Sequence, residues 1–248
     1  LHSGYAFRTA AILQQQRALG WDTFHLTSAK HALACPAEEE VDGLHFYRTP
    51  PPATAWARLP VANQIAVIDG LAARLAEVAA ALRPDVLHAH SPVLNGIAAL
   101  RVGRRLGIPV VYEVRAFWED AAADHGTARE GGLRYRLTRA LETYELRRAD
   151  AVTVICEGLR GAIVGRGIPA AKVTVIPNAV ALQRFAAGAA PDPALLRQYG
   201  REGRTVLGFM GSFYAYVWLA LLLAALAQII RQVPQAHLLL VGGGPQEA

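Results

Sequence analysis

The feature that most constrains this chain is the character of its short β-rich runs. They lie at Thr23–Thr27, Leu44–Arg48, Val86–Ala89, Val110–Val114, Ala151–Ile155, Val173–Ile176, Thr205–Met210 and His237–Val241. Most are continuous in Val, Ile and Leu. They lack the polar alternation of a sheet wetted on one side, so they suit parallel strands covered on both faces. Helical runs separate them, at Ala6–Leu19, Val61–Leu82, Leu94–Leu106, Gly132–Arg148, Glu157–Arg166, Pro193–Tyr199 and Val217–Val233. Two helix-to-strand junctions use the same device, Leu82-Arg83-Pro84-Asp85 and Leu106-Gly107-Ile108-Pro109, with Pro as the breaker. Such alternation predicts right-handed βαβ units and an α/β fold with a doubly wound parallel sheet. No repeat of about 20–50 residues is visible, which excludes a solenoid.

Composition narrows the class. With 53% hydrophobic and 18% charged residues over 248 positions, the chain can bury a sizeable core and is too apolar for disorder. The length suits one large domain or about one and a half. The balance of 25 Lys+Arg against 20 Asp+Glu is mildly basic, with Arg scattered through helical stretches and no dense basic run, so no nucleic-acid partner is expected. Cys35 and Cys156 have no metal-like spacing and are read as reduced, which favours the cytosol. Arg204 to Arg231 encloses no charge, and Phe213 to Ala227 is unbroken apolar sequence. A membrane span needs about 20 apolar residues. Here Thr205–Met210 reads as a buried strand, Gly211-Ser212 as a turn and Val217–Val233 as a helix ended by Pro234, so an α/β segment is the preferred reading and an interfacial or spanning helix the alternative.

The small residues and prolines of Ala186–Pro193 suit an interdomain linker. The expected organisation is a Rossmann-like domain over 1–186, a linker over 187–204 and the start of a second domain over 205–248. Two strands do not sustain a doubly wound sheet, so the second domain is expected to be incomplete. The helix-opening loop at Leu1 and the closing Gly242-Gly243-Gly244-Pro245 suggest a chain cut at both ends, without the first strand of its first domain.

Ligands of open α/β sheets gather at the carboxyl ends of the strands. Before the first helix, His2-Ser3-Gly4-Tyr5-Ala6-Phe7-Arg8 offers a glycine, free N–H groups and a cation to an anion; a plain Ser cap with a turn glycine reads equally well. In Val86-Leu87-His88-Ala89-His90, the two histidines share a strand face, and without a third ligand nearby no metal is expected. His90, last on the strand, is the better candidate for substrate contact. Glu113, Arg115, Glu119 and Asp120 crowd with Phe117 and Trp118 just past another strand, as binding groups on a loop or as an acidic helix start. Cys156 reads as a small buried residue rather than a nucleophile. Pro177-Asn178 marks a turn, and Gly242-Gly243-Gly244 could bring backbone N–H groups to a phosphate.

Taken in order, these segments resemble family 4 glycosyltransferases of the GT-B fold. The matching segments are His-Ser-Gly-Tyr-Ala-Phe-Arg at 2–8, Asp-Val-Leu-His-Ala-His-Ser at 85–91 and Tyr-Glu-Val-Arg-Ala-Phe-Trp-Glu at 112–119. They continue with Val-Ile-Cys-Glu-Gly-Leu at 154–159, Val-Ile-Pro-Asn-Ala-Val at 175–180, Gly-Ser-Phe-Tyr-Ala-Tyr at 211–216 and Leu-Val-Gly-Gly-Gly-Pro at 240–245. Within the family the chain is most similar to the bacterial exopolysaccharide branch of exosortase systems. The resemblance implies two Rossmann-like domains facing a cleft, a retaining mechanism, no metal and no cofactor beyond a nucleotide diphosphate sugar as donor substrate. It places Ser3-Gly4 by the donor phosphate and acceptor, and the family's His after the fifth strand is absent from Glu113–Arg115; the expected catalytic positions are His90, Arg115 and Glu119, with substrate contacts at Ser3, Gly4, Tyr5, Arg8, Asn178, Ser212, Gly242 and Gly243. The family's paired-Glu motif lies beyond Ala248, and Val217-Trp218-Leu219-Ala220 stands where the family has polar or small residues.

The expected function is therefore sugar transfer to a glycan or lipid-linked acceptor in polysaccharide synthesis. The expected location is the cytoplasm, at the inner face of the membrane, with peripheral membrane association or self-association through 213–233. The rival readings are a non-catalytic fragment that binds an acceptor or partner, and a nucleotide-sugar epimerase of related shape. The fragment alone is expected to be inactive.

Overall fold

The computed structural model describes residues 4–30, 36–52, 60–124, 126–180, 182, 190, 192–214 and 217–244. It divides into two compact units, residues 1–119 with 131–178 and residues 120–130 with 179–248.

The first unit holds a four-stranded parallel sheet in the order β4 (Leu87–His90), β5 (Val110–Val114), β6 (Ala151–Val154), β7 (Val173–Val175). Leu87 pairs with Val110, Val111 with Ala151 and Val152 with Val173, so all four carboxyl ends lie along one edge. The unbroken apolar runs are explained by helices on the sheet. Tyr112, Val114, Val152 and Val154 are wholly buried, packed with Val102 of α3 (Val93–Leu106), Leu146 of α5 (Leu133–Arg148) and Ile163 of α6 (Glu157–Gly165). Gly107, in the left-handed region at φ 71°, ends α3 by donating its N–H to Gly103 O, and Pro109 then starts the strand approach. A second cluster joins Val67, Ile68 and Leu71 of α2 (Pro60–Leu82) to Val93, Leu94 and Ala98 of α3.

The same unit carries α1 (Gly4–Ala18) and a three-stranded sheet in the order β1 (His25–Thr27), β3 (Leu44–Arg48), β2 (Glu38–Val41). This corrects the expectation of parallel strands throughout: β1 and β3 are parallel, but β2 and β3 form an antiparallel hairpin. Its turn is Asp42-Gly43, both at positive φ (52° and 73°), the pairing that a two-residue hairpin turn demands. Three successive glutamates hid β2 from sequence reading because Glu is depleted in strands. One of them, Glu39, pairs with the buried Arg48 of β3.

In the second unit, β8 (Thr205–Met210) and β9 (Ala236–Val241) run parallel with Thr205 opposite Ala236 and Met210 opposite Val241. Between them lies α8 (Leu219–Gln232), shorter than the expected Val217–Val233. None of its residues is buried, and Leu221 and Leu223 are more than half exposed. No described helix is long and apolar enough to cross a membrane. Of the predicted linker, 187–189 and 191 lie outside the described residues, and Pro193–Gln198 forms α7 with Asp192 accepting from Ala194 N–H. Elsewhere, α4 (Trp118–Asp124) starts within the polar segment that follows β5, so Arg115–Phe117 is all the loop there is.

Candidate functional site

Four parallel strands set the frame. In the β4–β5 register His90 lies opposite Glu113, and β7 ends beside β6 with Ile176 N–H donating to Val154 O. His88 and His90 do share a face, with rings stacked 4.6 Å apart. Between them and the next strand sits the carboxylate of Glu113, 1% exposed.

Glu113 is the hub. Its Oε1 accepts from Arg8 Nε at 2.9 Å and Arg115 Nε at 2.8 Å, and its Oε2 lies 3.1 Å from His88 Nε2. Arg8 also donates to Ile176 O (2.9 Å), Pro177 O (3.2 Å) and Asn178 Oδ1 (2.9 Å), which ties α1 to the turn after β7. Arg115 donates to Tyr5 O at 2.9 Å and to His90 Nδ1, while its own N–H reaches Ser91 Oγ at 3.3 Å. His90 is held in turn by Asn95 Nδ2 donating to its carbonyl at 2.9 Å.

Charge follows from this packing. Burial works to raise the Glu113 carboxyl, but the His88 hydrogen bond and the neighbouring cations outweigh it and hold the group well below the usual carboxylate range. Burial, then His88 and the two guanidiniums, lower His90 to about 3. His90 is thus neutral at ordinary pH. With Nδ1 accepting from Arg115, its proton sits on Nε2, which makes that nitrogen a donor.

The structure supplies the third ligand-type group that the histidine pair lacked in sequence: donor atoms of His88, His90 and Glu113 all lie within 4.8 Å of one another. Two guanidiniums already occupy the same carboxylate, however. Both guanidiniums lie on Oε1, and Arg115 also takes the His90 Nδ1 lone pair, so the cluster fits an ion-pair network better than a metal centre.

Of the residues singled out from sequence, Tyr5, Arg8, His90, Arg115 and Asn178 come together here, with Gly4 at the exposed start of α1. Ser3 lies outside the described residues. Glu119 does not join them: it is wholly buried and accepts from Arg166 Nη2 at 2.7 Å, and that guanidinium lies 3.8 Å over the Phe117 ring. A carboxylate so enclosed supports α4 and cannot touch a ligand. Cys156, expected to be buried, is exposed as the residue preceding α6. Glu113 was the residue that sequence reading undervalued; its one signal is a charge inside the apolar run Val110-Val111-Tyr112-Glu113-Val114.

Ser212, Gly242 and Gly243 belong to the second unit. Phe213 N–H donates to Gly243 O at 2.9 Å and Gly211 N–H to Val241 O at 3.0 Å. A Cβ on Gly242 would fall 1.8 Å from Gly211 O, so this close approach of two loops already requires the glycine. Ser212 is exposed.

Residues 3–179 match the model of the family described as glycosyl transferase 4-like domain. A GDP-mannose-dependent α-mannosyltransferase of Mycobacterium tuberculosis (strain CDC 1551 / Oshkosh) is 30% identical over 131 residues, which is 52% of this chain and 32% of that protein. Among solved structures, sucrose-phosphate synthase from Thermosynechococcus elongatus superposes with a TM-score of 0.71 at 20% identity, over 99% of this chain and 59% of that one. HepE of Anabaena, solved with UDP-glucose, superposes with a TM-score of 0.54 at 19% identity, over 81% of this chain and 48% of that one. The chain thus spans a third to three fifths of the length of these relatives. The structural likenesses show the fold, a Rossmann-like α/β architecture.

Proposed function

Because this chain belongs to the glycosyl transferase 4-like domain family, we propose that it forms part of a GT-B glycosyltransferase. The enzyme moves a sugar from a nucleotide diphosphate sugar to a glycan or lipid-linked acceptor in bacterial polysaccharide synthesis. The observation that carries the reading is the Arg8–Glu113–Arg115–His90 cluster at the carboxyl ends of parallel strands, where open α/β sheets take their ligands. Relatives add support: one is named for GDP-mannose, and one was solved with UDP-glucose.

In this reading the first turn of α1, with Gly4 and Tyr5, turns N–H groups toward the donor phosphate, and Arg8 adds positive charge beside it. The His90 Nε2–H donates to a sugar or acceptor hydroxyl, and Arg115 fixes the imidazole in the tautomer that can do so. The reaction is retaining and needs no metal or further cofactor: the anomeric C–O bond to phosphate breaks, the bond to the acceptor oxygen forms on the same face, and the acceptor proton passes to the departing phosphate. The location is the cytoplasmic face of the membrane.

The test is nucleoside diphosphate release and product stereochemistry by the full-length protein over a panel of nucleotide sugars, with His90→Ala in parallel. Turnover with retained configuration, lowered about 100-fold or more in the variant, is expected. Inverted product would refute the retaining mechanism, and undiminished turnover in the variant would remove His90 from the site. The 248-residue chain alone is expected to read background.

A further inference from the structure

Helix α5 presents an outward face that its role in the core does not explain. Leu133, Leu137, Leu141 and Tyr144 are 76%, 56%, 47% and 45% exposed. At 100° per residue these four fall within one narrow stripe, spaced i, i+4, i+8 and i+11. Arg136 and Arg147 flank the stripe on one side and Arg134 on the other, with Arg148 in the last turn. All five arginines of the helix, these and Arg139, are exposed. Its two acidic residues, Glu142 and Glu145, are wholly buried on the opposite face against Tyr112. The outer face of α5 is therefore apolar along its centre and purely cationic at its edges. Among the described residues, Arg136, Arg139, Arg147 and Arg148 have no ion-pair partner.

We infer that this face docks on an anionic lipid surface, with α5 lying in the plane of the interface. The leucines and Tyr144 would enter the headgroup boundary while the arginines meet lipid phosphates, the division of labour of an interfacial amphipathic helix. Helix ends often carry cations that complement the dipole, which accounts for Arg147 and Arg148 but not for Arg136, Arg139 or the exposed leucines. A second copy is disfavoured by charge, since a two-fold contact through α5 sets arginine against arginine. This proposal rests on the membrane location proposed above and names the surface that meets it; vesicle binding tests it separately from sugar transfer.

The experiment is vesicle flotation with the 248-residue chain, using phosphatidylcholine vesicles and vesicles with about 30% phosphatidylglycerol. Binding to the anionic vesicles only, weakened by salt, is expected. Arg136→Glu with Arg147→Glu should cut it about tenfold or more, and Leu137→Ser should weaken it further, with circular dichroism unchanged. Leu221→Ser with Leu223→Ser in α8 should leave it intact. Equal binding to both vesicle types, no binding at all, or loss only in the α8 variant overturns the proposal. Retention on an immobilised acidic peptide without vesicle binding overturns it in favour of a protein partner.

Discussion

At the scale of single residues, this protein places carboxylates where burial alone would neutralise them and treats each differently. Glu113 keeps its charge because two guanidiniums and His88 surround it. Glu145 has no such company: burial and then the Glu142 charge push it up to about 9, while burial takes Glu142 to about 7 despite the Tyr112 hydrogen bond. Between its ordinary 4.5 and about 9, Glu145 holds a proton in the folded state that the unfolded chain has lost. Stability therefore falls as pH rises through that window, by up to about 1.4 kcal/mol per pH unit for this one group. Glu145→Gln should flatten the loss, so its melting temperature should overtake that of the parent as pH approaches 9, and thermal melts across pH would check this. On the acid side His90 acts in the opposite sense: neutral in the fold down to about 3, protonated in the unfolded chain below 6.5, it lowers stability as pH falls. Arg115 stands in a short loop by sequence, where truncation would cost activity alone. It is 7% exposed and bridges Glu113, Tyr5 and His90. Arg115→Ala should therefore also cost stability, about 2–4 kcal/mol by denaturant unfolding, because it strips a buried carboxylate of one cation.

At the scale of elements, β3, β5 and β8 were legible in the sequence to the residue, because each is a short run rich in strand-forming residues bounded by turn or breaker residues. The hairpin was not: its signal was the Asp42-Gly43 pair, set against a glutamate run. The site was half legible. His90 ends β4, Arg8 lies in the opening turns of α1 and Asn178 follows β7, so each declares itself, whereas Glu113 is hidden within a strand, and its meaning depends on Arg8, 105 residues away in sequence. Glu119 misled because a charge after a strand looks like a ligand group until Arg166 is found to cover it. Helix and strand meet most tightly at Gly103 of α3, where an added Cβ would fall 2.6 Å from both Ile108 O and Val110 Cγ2. Backbone cannot yield there as a side-chain tip can. Gly103→Ala is expected to destabilise by about 1–3 kcal/mol despite its better helix propensity, and a shift in urea midpoint at unchanged slope would show it.

At the scale of the whole molecule, the two units differ in how much apolar surface they keep from water. The first encloses the β4–β7 sheet between helices. In the second, Trp218, Leu221, Leu223 and Ile230 of the α8 region are 41–67% exposed. Each such side chain, fully buried, would contribute about 1.5–3 kcal/mol. The 248-residue chain is therefore expected to self-associate through 213–233. Light scattering should show oligomers that mild detergent disperses; a monomer at high concentration without detergent would mean that this surface is covered.

The reach of Arg8 has a consequence for how the protein is made. Its guanidinium belongs to α1, which is synthesised before β4–β7, yet three of its acceptors, Ile176, Pro177 and Asn178, are 168–170 residues further along. α1 is itself without a single buried residue, so polar contacts hold it: this clasp, the Arg115 bond to Tyr5 O and the Arg17 bond to Gly43 O. During synthesis it must wait, its arginine bound to water, while β4, β5, β6 and β7 are translated and brought into register. α1 is thus among the last elements to settle, and a nascent polypeptide that stalls before Asn178 leaves α1 open to any protease or chaperone that samples it.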